Sequence, residues 1–251
     1  MGQGTRRQGQ ATLSRAKRPS VEAPIWAPQP GPQTALLACD IFELFFGGAR
    51  GGGKTDGMLG DFAAHALAHG GHASGVFFRR TARQLEEVIH RAQQIYPRLG
   101  GRWIRSTLTW VFGRGPAEGA RLKMRHLWDE TDAENYMGHA YTWVCFEEMT
   151  NWPTPAPLDR IRATLRSAHG VKVRFRGTGN PGAPGHNWVK ARYVDPAPAG
   201  YQPIADPRTG EFRVYIPARL EDNPALQAQD PGYASRLRAV GAPPLVRAWL
   251  H

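Results

Sequence analysis

The chain has 251 residues, of which 41% are hydrophobic, so it is long enough for one large domain with a substantial core. It has no run of about 18 apolar residues that would span a membrane, and its basic N-terminus lacks the apolar segment of a secretory signal. The two cysteines, Cys39 and Cys145, are far apart, which argues against a zinc site or a disulfide framework and fits a reducing cytoplasm. The net charge of +11 indicates either a polyanionic partner or a merely basic, soluble protein.

The basic excess is spread along the chain. Residues 1–21 contain five Lys or Arg and no acid, and the remainder has 27 basic and 21 acidic residues, which leaves +6 there. Because residues 1–22 are polar, basic and poor in large apolar groups, we expect them to form a disordered arm. Composition leaves open whether this arm touches nucleic acid or has no partner.

A short helix is expected next, over Gln33–Cys39. Gln33 precedes the glycine-rich loop of the chain by fifteen residues. A glutamine amide offers both a donor and an acceptor, so Gln33 could hydrogen-bond an adenine edge. An ordinary surface glutamine is the alternative.

A glycine-rich loop organises the chain. The apolar run 42–46 leads to Gly48, Ala49, Arg50, Gly51, Gly52, Gly53, Lys54 and Thr55, which fits the G-x-x-x-x-G-K-[ST] phosphate loop, or P-loop. An amphipathic helix is predicted after it, with Met58, Leu59 and Phe62 on one face. This strand–loop–helix order argues against the alternative of a flexible glycine loop before a helix.

Each part of the motif has a physical reason. Glycines lack Cβ, so the loop can curl until its N–H groups converge on phosphate oxygens, and the following helix adds the positive end of its dipole. Lys54 supplies a positive charge for the β- and γ-phosphates, and the Thr55 hydroxyl can ligate Mg²⁺. The loop therefore predicts ATP and Mg²⁺ as ligands.

Strand and turn signals continue after the P-loop. Thr81 with Gln84 forms a capping box for a helix through about Tyr96. Further strands are expected at Ser74–Phe78, over 102–112 as a hairpin or a pair of strands, and at Ala120–Met124.

The run Tyr141–Phe146 is apolar throughout, as expected for a strand buried on both faces of a parallel sheet. Glu147 and Glu148 follow it directly, and an apolar strand that ends in acids is the usual partner of a P-loop. Neighbouring side chains of a strand point to opposite sides. We therefore assign Glu147 to the Mg²⁺ shell, through water, and Glu148 to activating the water that attacks the γ-phosphate. Two solvated acids at a strand end are the alternative.

A strand is predicted over Val171–Gly177, after a proline-rich segment and a basic helix. Lys172, Arg174 and Arg176 fall on one face of this strand. Such a cationic row either faces a DNA channel or is a solvated or edge face.

Short polar side chains follow that strand. Thr178 and Asn180 could reach a γ-phosphate or the attacking water, and a plain Asn-Pro turn is the alternative. A last strand is expected over Glu211–Ile216. Helix starts are indicated at Asn223-Pro224 and at Asp230-Pro231, and the second of these helices is expected to end at Gly241.

The alternation of strands and helices predicts an α/β fold. We expect the mostly parallel sheet, flanked by helices, of an ASCE-type P-loop NTPase. The core should span residues 23–218, and residues 219–251 should form a small helical lid region.

Taken together, these motifs resemble the ATPase domain of a bacteriophage large terminase subunit, the DNA-packaging motor of tailed phages. The resemblance runs from about Gln33 to the end of the chain. Its matching pieces are Gln33, the P-loop with Arg50 inside it, Arg79-Arg80-Thr81, Phe146-Glu147-Glu148, Thr178-Gly179-Asn180-Pro181, Tyr215-Ile216-Pro217-Ala218 and Asp222-Asn223-Pro224. The family's metal-binding acid is usually Asp, and this chain has Glu147 there.

The resemblance implies a function and partners. A domain of this kind hydrolyses ATP with Mg²⁺ to drive double-stranded DNA into a phage procapsid, in the cytoplasm of the bacterial host. It grips the DNA backbone without reading sequence. The resemblance also implies a homo-oligomeric ring on a portal, a small terminase subunit as a further partner, and no membrane.

The resemblance implies roles for particular residues as well. Arg50 would contact the γ-phosphate region and sense hydrolysis, and Thr178 and Asn180 would couple the γ-phosphate state to movement of the lid. An arginine from a neighbouring subunit would complete the site. The candidates for that trans-acting arginine are Arg79, Arg80, Arg83 and Arg102.

The family's large subunits carry a second, RNase H-like nuclease domain, whose chemistry needs a cluster of carboxylates holding two metals. This chain stops at Trp249-Leu250-His251, so we expect that domain to be absent and no DNA cleavage by this polypeptide. Two other function classes remain. One is another P-loop motor of helicase or recombinase type, which Arg50 and the 178–181 segment disfavour. The other is a non-catalytic, truncated DNA-binding remnant, which the early stop favours.

Overall fold

The computed structural model describes Met1, residues 24–239 and residues 243–250. The predicted arm therefore lies outside the described residues except for Met1, and so does the predicted helix end at Gly241. None of the helices in the described ranges combines the length and the apolar character needed to cross a bilayer.

Strands and helices alternate along the described chain. The strands are β1 (Glu43–Gly48), β2 (Ser74–Arg79), β3 (Gly101–Ile104), β4 (Thr109–Phe112), β5 (Arg121–His126), β6 (Trp143–Phe146), β7 (Arg174–Gly179), β8 (Pro203–Ala205) and β9 (Phe212–Ala218). The α-helices are α1 (Pro32–Ala38), α2 (Lys54–His69), α3 (Leu85–Ile95), α4 (Glu130–Glu134), α5 (Ala156–Arg162), α6 (His186–Val189), α7 (Pro224–Gln229), α8 (Tyr233–Arg238) and α9 (Pro243–Leu250). A π-helix over Lys190–Val194 continues α6.

These strands form one nine-stranded sheet in the order β3-β4-β5-β2-β6-β7-β1-β9-β8. The strands from β5 to β9 in this order pair in parallel, while the β3-β4 hairpin and β8 add antiparallel edges. Strand β7 lies between β1, which leads into the P-loop, and β6, which leads into the two acids. The predicted α/β fold is therefore confirmed. The carboxyl ends of these parallel strands meet at one edge, where open α/β sheets bind ligands.

Apolar side chains cover both faces of the sheet. On one face Phe62 of α2 packs in a core with Phe77 and Trp143. On the other face Val76 and Phe146 belong to a second core. Because successive side chains of a strand point in opposite directions, Val76 and Phe77 enter different cores. The predicted double burial of β6 is thus confirmed, and the sheet gives the site at its edge a rigid base.

The cationic row on β7 faces neither a DNA channel nor solvent. Arg176 is fully buried and pairs with Asp61 of α2 at 3.1 Å, and Arg174 pairs with the same carboxylate at 2.9 Å. Asp61 is also fully buried, and it accepts a hydrogen bond from the Trp143 indole at 2.7 Å. Only Lys172, which precedes the strand, is exposed. For the two arginines both sequence interpretations are wrong, because the acid that neutralises them lies 113 and 115 residues earlier. Of the three basic residues, Lys172 alone has the solvated position that one interpretation expected.

The start of α3 differs from the prediction. Within the described structure the Gln84 half of the capping box forms, since Oε1 of Gln84 accepts the backbone N–H of Thr81 at 3.2 Å. Residues 81–84 nevertheless form turns, and α3 begins at Leu85. The side chain of Gln84 therefore closes the turn before the helix rather than capping its first residues.

The helices after β9 follow the prediction in part. The side chain of Asn223 caps α7 by accepting the backbone N–H of Leu226, as its position before Pro224 predicts. Asp230 is not the cap of α8, which begins two residues after Pro231 with Gly232 as N-cap. Strand β8 and helix α9 are not predicted from the sequence. A three-residue edge strand is too short to show an alternating pattern, and in the sequence the two prolines that open α9 indicate the end of the preceding helix rather than the start of a new one.

Candidate nucleotide-binding site

The P-loop connects the end of β1 to the start of α2. Gly48 has a φ of 127°, and a Cβ at this position would lie 2.5 Å from the carbonyl oxygen of Ala218 on β9. Gly53, the N-cap of α2, has a φ of 72°. Both backbone conformations are rare for residues with a side chain. The loop can therefore curl over the N-terminus of α2, where free N–H groups and the helix dipole favour phosphate.

Lys54 lies inside this cradle. Its buried ammonium group donates a hydrogen bond to the carbonyl oxygen of Ala49 across the loop. Burial lowers the pKa of Lys54 to about 8, against the opposing effect of the nearby carboxylates of Glu148 and Glu147. A polyphosphate bound in the loop would add negative charge beside Lys54 and so favour its charged form.

Thr55, Glu147 and Arg79 form one hydrogen-bonded network. The Thr55 hydroxyl donates to Oε1 of Glu147, and Nε of Arg79 donates to Oε2 at 2.8 Å. Phe78 of β2 pairs in register with Phe146 of β6, so Arg79, the last residue of β2, lies beside Glu147, which directly follows β6. Burial raises the pKa of Glu147, whereas the charge of Arg79 and the hydrogen bond from Thr55 lower it. The two partners thereby hold a buried carboxylate against the start of α2.

The oxygen atoms of Thr55 and Glu147 fit the Mg²⁺ ion that the P-loop motif implies. A hydroxyl oxygen and a carboxylate oxygen are in direct contact there, and both are hard donors of the kind that Mg²⁺ prefers. Mg²⁺ usually takes one or two protein ligands and completes its octahedral shell with water and phosphate oxygens. These two residues would therefore hold an ion that arrives with the phosphates.

Glu148 turns away from its neighbour because its backbone is left-handed, with a φ of 56°. This conformation is uncommon for a residue other than glycine. Two hydrogen bonds hold it, since its N–H donates to Oγ1 of Thr178 at 3.0 Å and Nδ2 of Asn180 donates to its Oε1. Thr178 and Asn180, which the sequence suggested as contacts for phosphate or water, thus contact the candidate catalytic acid in this structure.

Gln33 lies under the P-loop rather than in the open cleft. It is 3% exposed, its Nε2 donates to the carbonyl oxygen of Gly53 at 2.8 Å, and its Oε1 accepts the backbone N–H of Gln29 at 2.8 Å. These bonds use one of the two N–H donors and one of the two lone pairs of the amide. The adenine role of Gln33 stays a prediction, and its position here is that of a support for the loop.

Asn223 supports the loop from the other side. Its Nδ2 donates to the carbonyl oxygen of Gly51 at 2.7 Å, and its Oδ1 accepts a hydrogen bond from Nε2 of Gln29 at 2.7 Å. The residue that caps α7 therefore also binds the P-loop, which links the loop to the helices that follow β9.

The predicted site residues meet around one cleft of about 700 Å³. Its wall includes Arg50, Gly51, Gly52, Gly53, Lys54, Thr55, Glu148 and Asn180. Gln33, Glu147 and Thr178 are buried side chains that contact wall residues. Residues from four separate stretches of sequence are thus brought together as a triphosphate site requires.

The four arginines considered as trans-acting candidates differ in their environment. Arg79 pairs with Glu147 of its own chain, and Arg80 donates to the carbonyl oxygen of Asn151 at 2.7 Å. Arg83 and Arg102 are exposed. The trans-acting role remains a prediction, and among the four only these two have exposed side chains within one subunit.

Comparison with known families decides what kind of P-loop protein this is. A family model described as the terminase large subunit, T4likevirus-type, N-terminal part matches residues 45–205, which is more than half of the chain. The chain belongs to the large terminase family. Among curated proteins, no sequence matches this terminase domain.

Solved structures show the same fold. The large terminase of a thermophilic bacteriophage, in complex with ADP, has a TM-score of 0.67 at 15% identity, over 87% of this chain and 52% of that one. The complex of that thermophilic-phage terminase with ATP-γ-S has a TM-score of 0.66 at 15% identity, over 89% of this chain and 52% of that one. The large terminase ATPase domain of Thermus phage P74-26 has a TM-score of 0.58 at 14% identity, over 87% of this chain and 90% of that one. This terminase chain therefore spans about half the length of the thermophilic-phage protein in the nucleotide complexes.

Sequence reasoning missed two contacts that build the site. The role it considered for Arg79 was that of a trans-acting arginine, although Arg79 binds Glu147 within the chain. It named Asn223 only as a helix cap, although Asn223 also binds the P-loop. The adjacent positions of Arg79 and Glu147 after two parallel strands could have indicated the first contact, whereas no local signal indicates the second.

Proposed function

We propose that this terminase domain hydrolyses ATP and that hydrolysis drives double-stranded DNA into a phage procapsid. The observation that carries the proposal is the single cleft in which the P-loop lysine, Lys54, faces the acid Glu148. Membership of the large terminase family supports the same function. The ADP and ATP-γ-S complexes of the thermophilic-phage terminase support ATP as the ligand.

The proposed chemistry assigns one task to each group. Lys54 and the P-loop N–H groups bind the β- and γ-phosphates, and Arg50 meets the γ-phosphate. Thr55 and Glu147 would hold Mg²⁺, which would supply positive charge to offset the negative charge of the phosphates. Glu148 orients the attacking water and accepts its proton.

Thr178 and Asn180 serve this chemistry through Glu148. Their hydrogen bonds fix the left-handed turn and the carboxylate of Glu148. Positioning of this kind matters because a displacement of about 1 Å can cost on the order of a hundredfold in rate. A shift of the 178–181 segment would thus change the geometry of Glu148, which is how we propose that the γ-phosphate state is coupled to the lid.

The proposed partners follow from charge and family. A net charge of +11 suits a domain that binds the backbone of duplex DNA. We propose that several copies form a ring on a portal in the cytoplasm of the bacterial host and that a small terminase subunit is a further partner.

Steady-state phosphate release tests the motor proposal. The native protein and a Lys54→Ala variant would be compared at high concentration, because a ring is expected to be the active form, with Mg²⁺ and with or without blunt duplex DNA. We expect release by the native protein only, stimulation by intact duplex, and loss of that stimulation as salt rises. Release no faster than that of Lys54→Ala, or separation of a forked duplex into strands, would reject the packaging motor.

A further inference from the structure

Trp249 of α9 contacts two parts of the proposed ATPase site. Its indole ring stacks on the guanidinium group of Arg50, whose Cζ lies 4.1 Å from the ring centroid. Its carbonyl oxygen accepts the backbone N–H of Arg50 at 3.0 Å, and its Nε1 donates to the carbonyl oxygen of Pro181 at 3.2 Å. Pro181 directly follows Asn180, which holds Glu148. One residue therefore bridges the P-loop and the segment that positions the candidate catalytic acid.

We propose that Trp249 is a positioning residue that fixes Arg50 at the mouth of the triphosphate cleft and ties it to the 178–181 segment. The inference rests on the proposed function, because it takes Arg50 to be the residue that meets the γ-phosphate. It adds a residue that no motif in the sequence indicates.

Stacking and phosphate binding use different parts of a guanidinium group. Cζ of Arg50 lies over the indole ring, 4.1 Å from its centroid, a separation that suits a guanidinium group with its flat face on the ring. In that arrangement the N–H donors point outward in the plane of the group. Arg50 also lines the cleft. Its edge can therefore donate to phosphate oxygens while its face stays on Trp249, so the stack prepares the arginine for phosphate and does not compete with it.

The stack should favour triphosphate over diphosphate. A free arginine side chain has many rotamers and loses that freedom when it binds phosphate. An arginine already held by an aromatic ring loses less. Since Arg50 acts on the γ-phosphate, removal of the ring should weaken the binding of ATP-γ-S and leave the binding of ADP unchanged. The affinity for ATP-γ-S should fall about two- to fivefold, the usual range for one exposed cation–π contact.

The bond to Pro181 can be tested separately from the stack. Trp249→Phe keeps an aromatic ring for Arg50 but removes the indole N–H donor. We expect this variant to keep the native ratio of ATP-γ-S to ADP affinity. Its kcat should fall by about two- to tenfold, the range for the loss of one hydrogen bond, because Pro181 and Asn180 are then less firmly held behind Glu148.

Calorimetric titration with ATP-γ-S and with ADP tests the proposal on the native protein, Trp249→Ala, Trp249→Phe, Arg50→Ala and the Trp249→Ala/Arg50→Ala double variant. We expect Trp249→Ala to weaken the binding of ATP-γ-S but not the binding of ADP. In the Arg50→Ala background the same substitution should leave the affinity for ATP-γ-S unchanged. Trp128→Ala is the control, since it removes another arginine–tryptophan stack, that of Arg80, and should leave the ratio unchanged.

The outcomes separate this inference from the proposed function. If the native protein binds neither nucleotide, the proposed function fails and the inference falls with it. If the native protein binds both nucleotides, two results overturn the positioning role alone. One is an equal loss of affinity for ATP-γ-S and for ADP in Trp249→Ala, and the other is a loss of ATP-γ-S affinity that Trp249→Ala still causes when Arg50 is absent. A Trp249→Phe variant with native kcat would overturn the link to Pro181.

Discussion

Nε of Arg79 lies 2.8 Å from Oε2 of Glu147, on the side of the carboxylate opposite to the oxygen that Thr55 binds. This arrangement bears on Glu147, which the sequence resemblance places at a position where the family usually has aspartate. A glutamate side chain has one more rotatable bond than an aspartate and so loses more rotamer freedom when it is fixed. The arginine removes that freedom by holding one oxygen, which leaves the other directed at Thr55.

We therefore predict that Arg79→Gln weakens Mg²⁺ binding more than nucleotide binding. Loss of a residue that orients a metal ligand typically costs 10- to 100-fold in metal affinity or activity. Titration of ATPase activity with Mg²⁺, and of Mn²⁺ binding by electron paramagnetic resonance, would show the shift in half-saturation. Arg98→Gln, at an exposed position that does not line the cleft, is the matched control. An unchanged Mg²⁺ requirement in Arg79→Gln would show that the ion pair has no such role.

A second prediction concerns the two arginines of β7 that pair with Asp61. Asp61→Asn should lower the free energy of unfolding by about 3–5 kcal/mol, because the fully buried charge of Arg176 would lose its partner and half-buried Arg174 would lose the same carboxylate. Urea denaturation measures this change. Asp40→Asn is the control, since Asp40 lies 3.9 Å from the same Arg174 but is exposed, and its loss should cost less than about 1 kcal/mol. Similar effects of the two substitutions would contradict this assignment.

A third prediction is a stability change in mild acid that depends on His65. Burial lowers the pKa of His65 to about 3, while its Nε2 lies 2.8 Å from the hydroxyl of Thr142. An unfolded histidine has a pKa near 6.5. Between pH 6.5 and 3 the unfolded chain therefore binds a proton that the native chain does not, and stability falls as the pH falls. The slope from this group is at most about 1.4 kcal/mol per pH unit.

His65→Gln tests this dependence, because the glutamine amide does not titrate and can still hydrogen-bond Thr142. Urea denaturation at several pH values should give a flatter curve for His65→Gln than for the native domain over this window. The exposed His90→Gln variant should keep the native slope. Parallel curves for native protein and His65→Gln would refute the assignment.

Much of the fold and site could be predicted because their signals are local. The apolar run before Gly48, the glycine loop and the two acids after Phe146 each lie within a few consecutive residues, and parallel strands bring their carboxyl ends to one edge. The motifs indicate a mostly parallel sheet but not its order of strands, in which β7 lies between β1 and β6.

What could not be predicted depends on partners distant in sequence. The basic row on β7 resembles an exposed nucleic-acid face until Asp61 of α2 is placed beside it. The contacts of Asn223 with Gly51 and of Trp249 with Arg50 join the P-loop to residues 172 positions later and beyond, where no periodicity or motif connects them. The left-handed backbone of Glu148 likewise arises from hydrogen bonds to the next strand.

The central claim is that Glu148, facing Lys54 across one cleft, activates the water that hydrolyses ATP. Its most direct test is the rate of phosphate release by native protein and by Glu148→Gln, at high protein concentration with Mg²⁺ and duplex DNA, with Glu118→Gln as an exposed control. We predict that Glu148→Gln binds ATP-γ-S as the native protein does but releases phosphate at least a hundredfold more slowly, as expected for loss of a general base. Equal rates for native protein and Glu148→Gln would contradict the account.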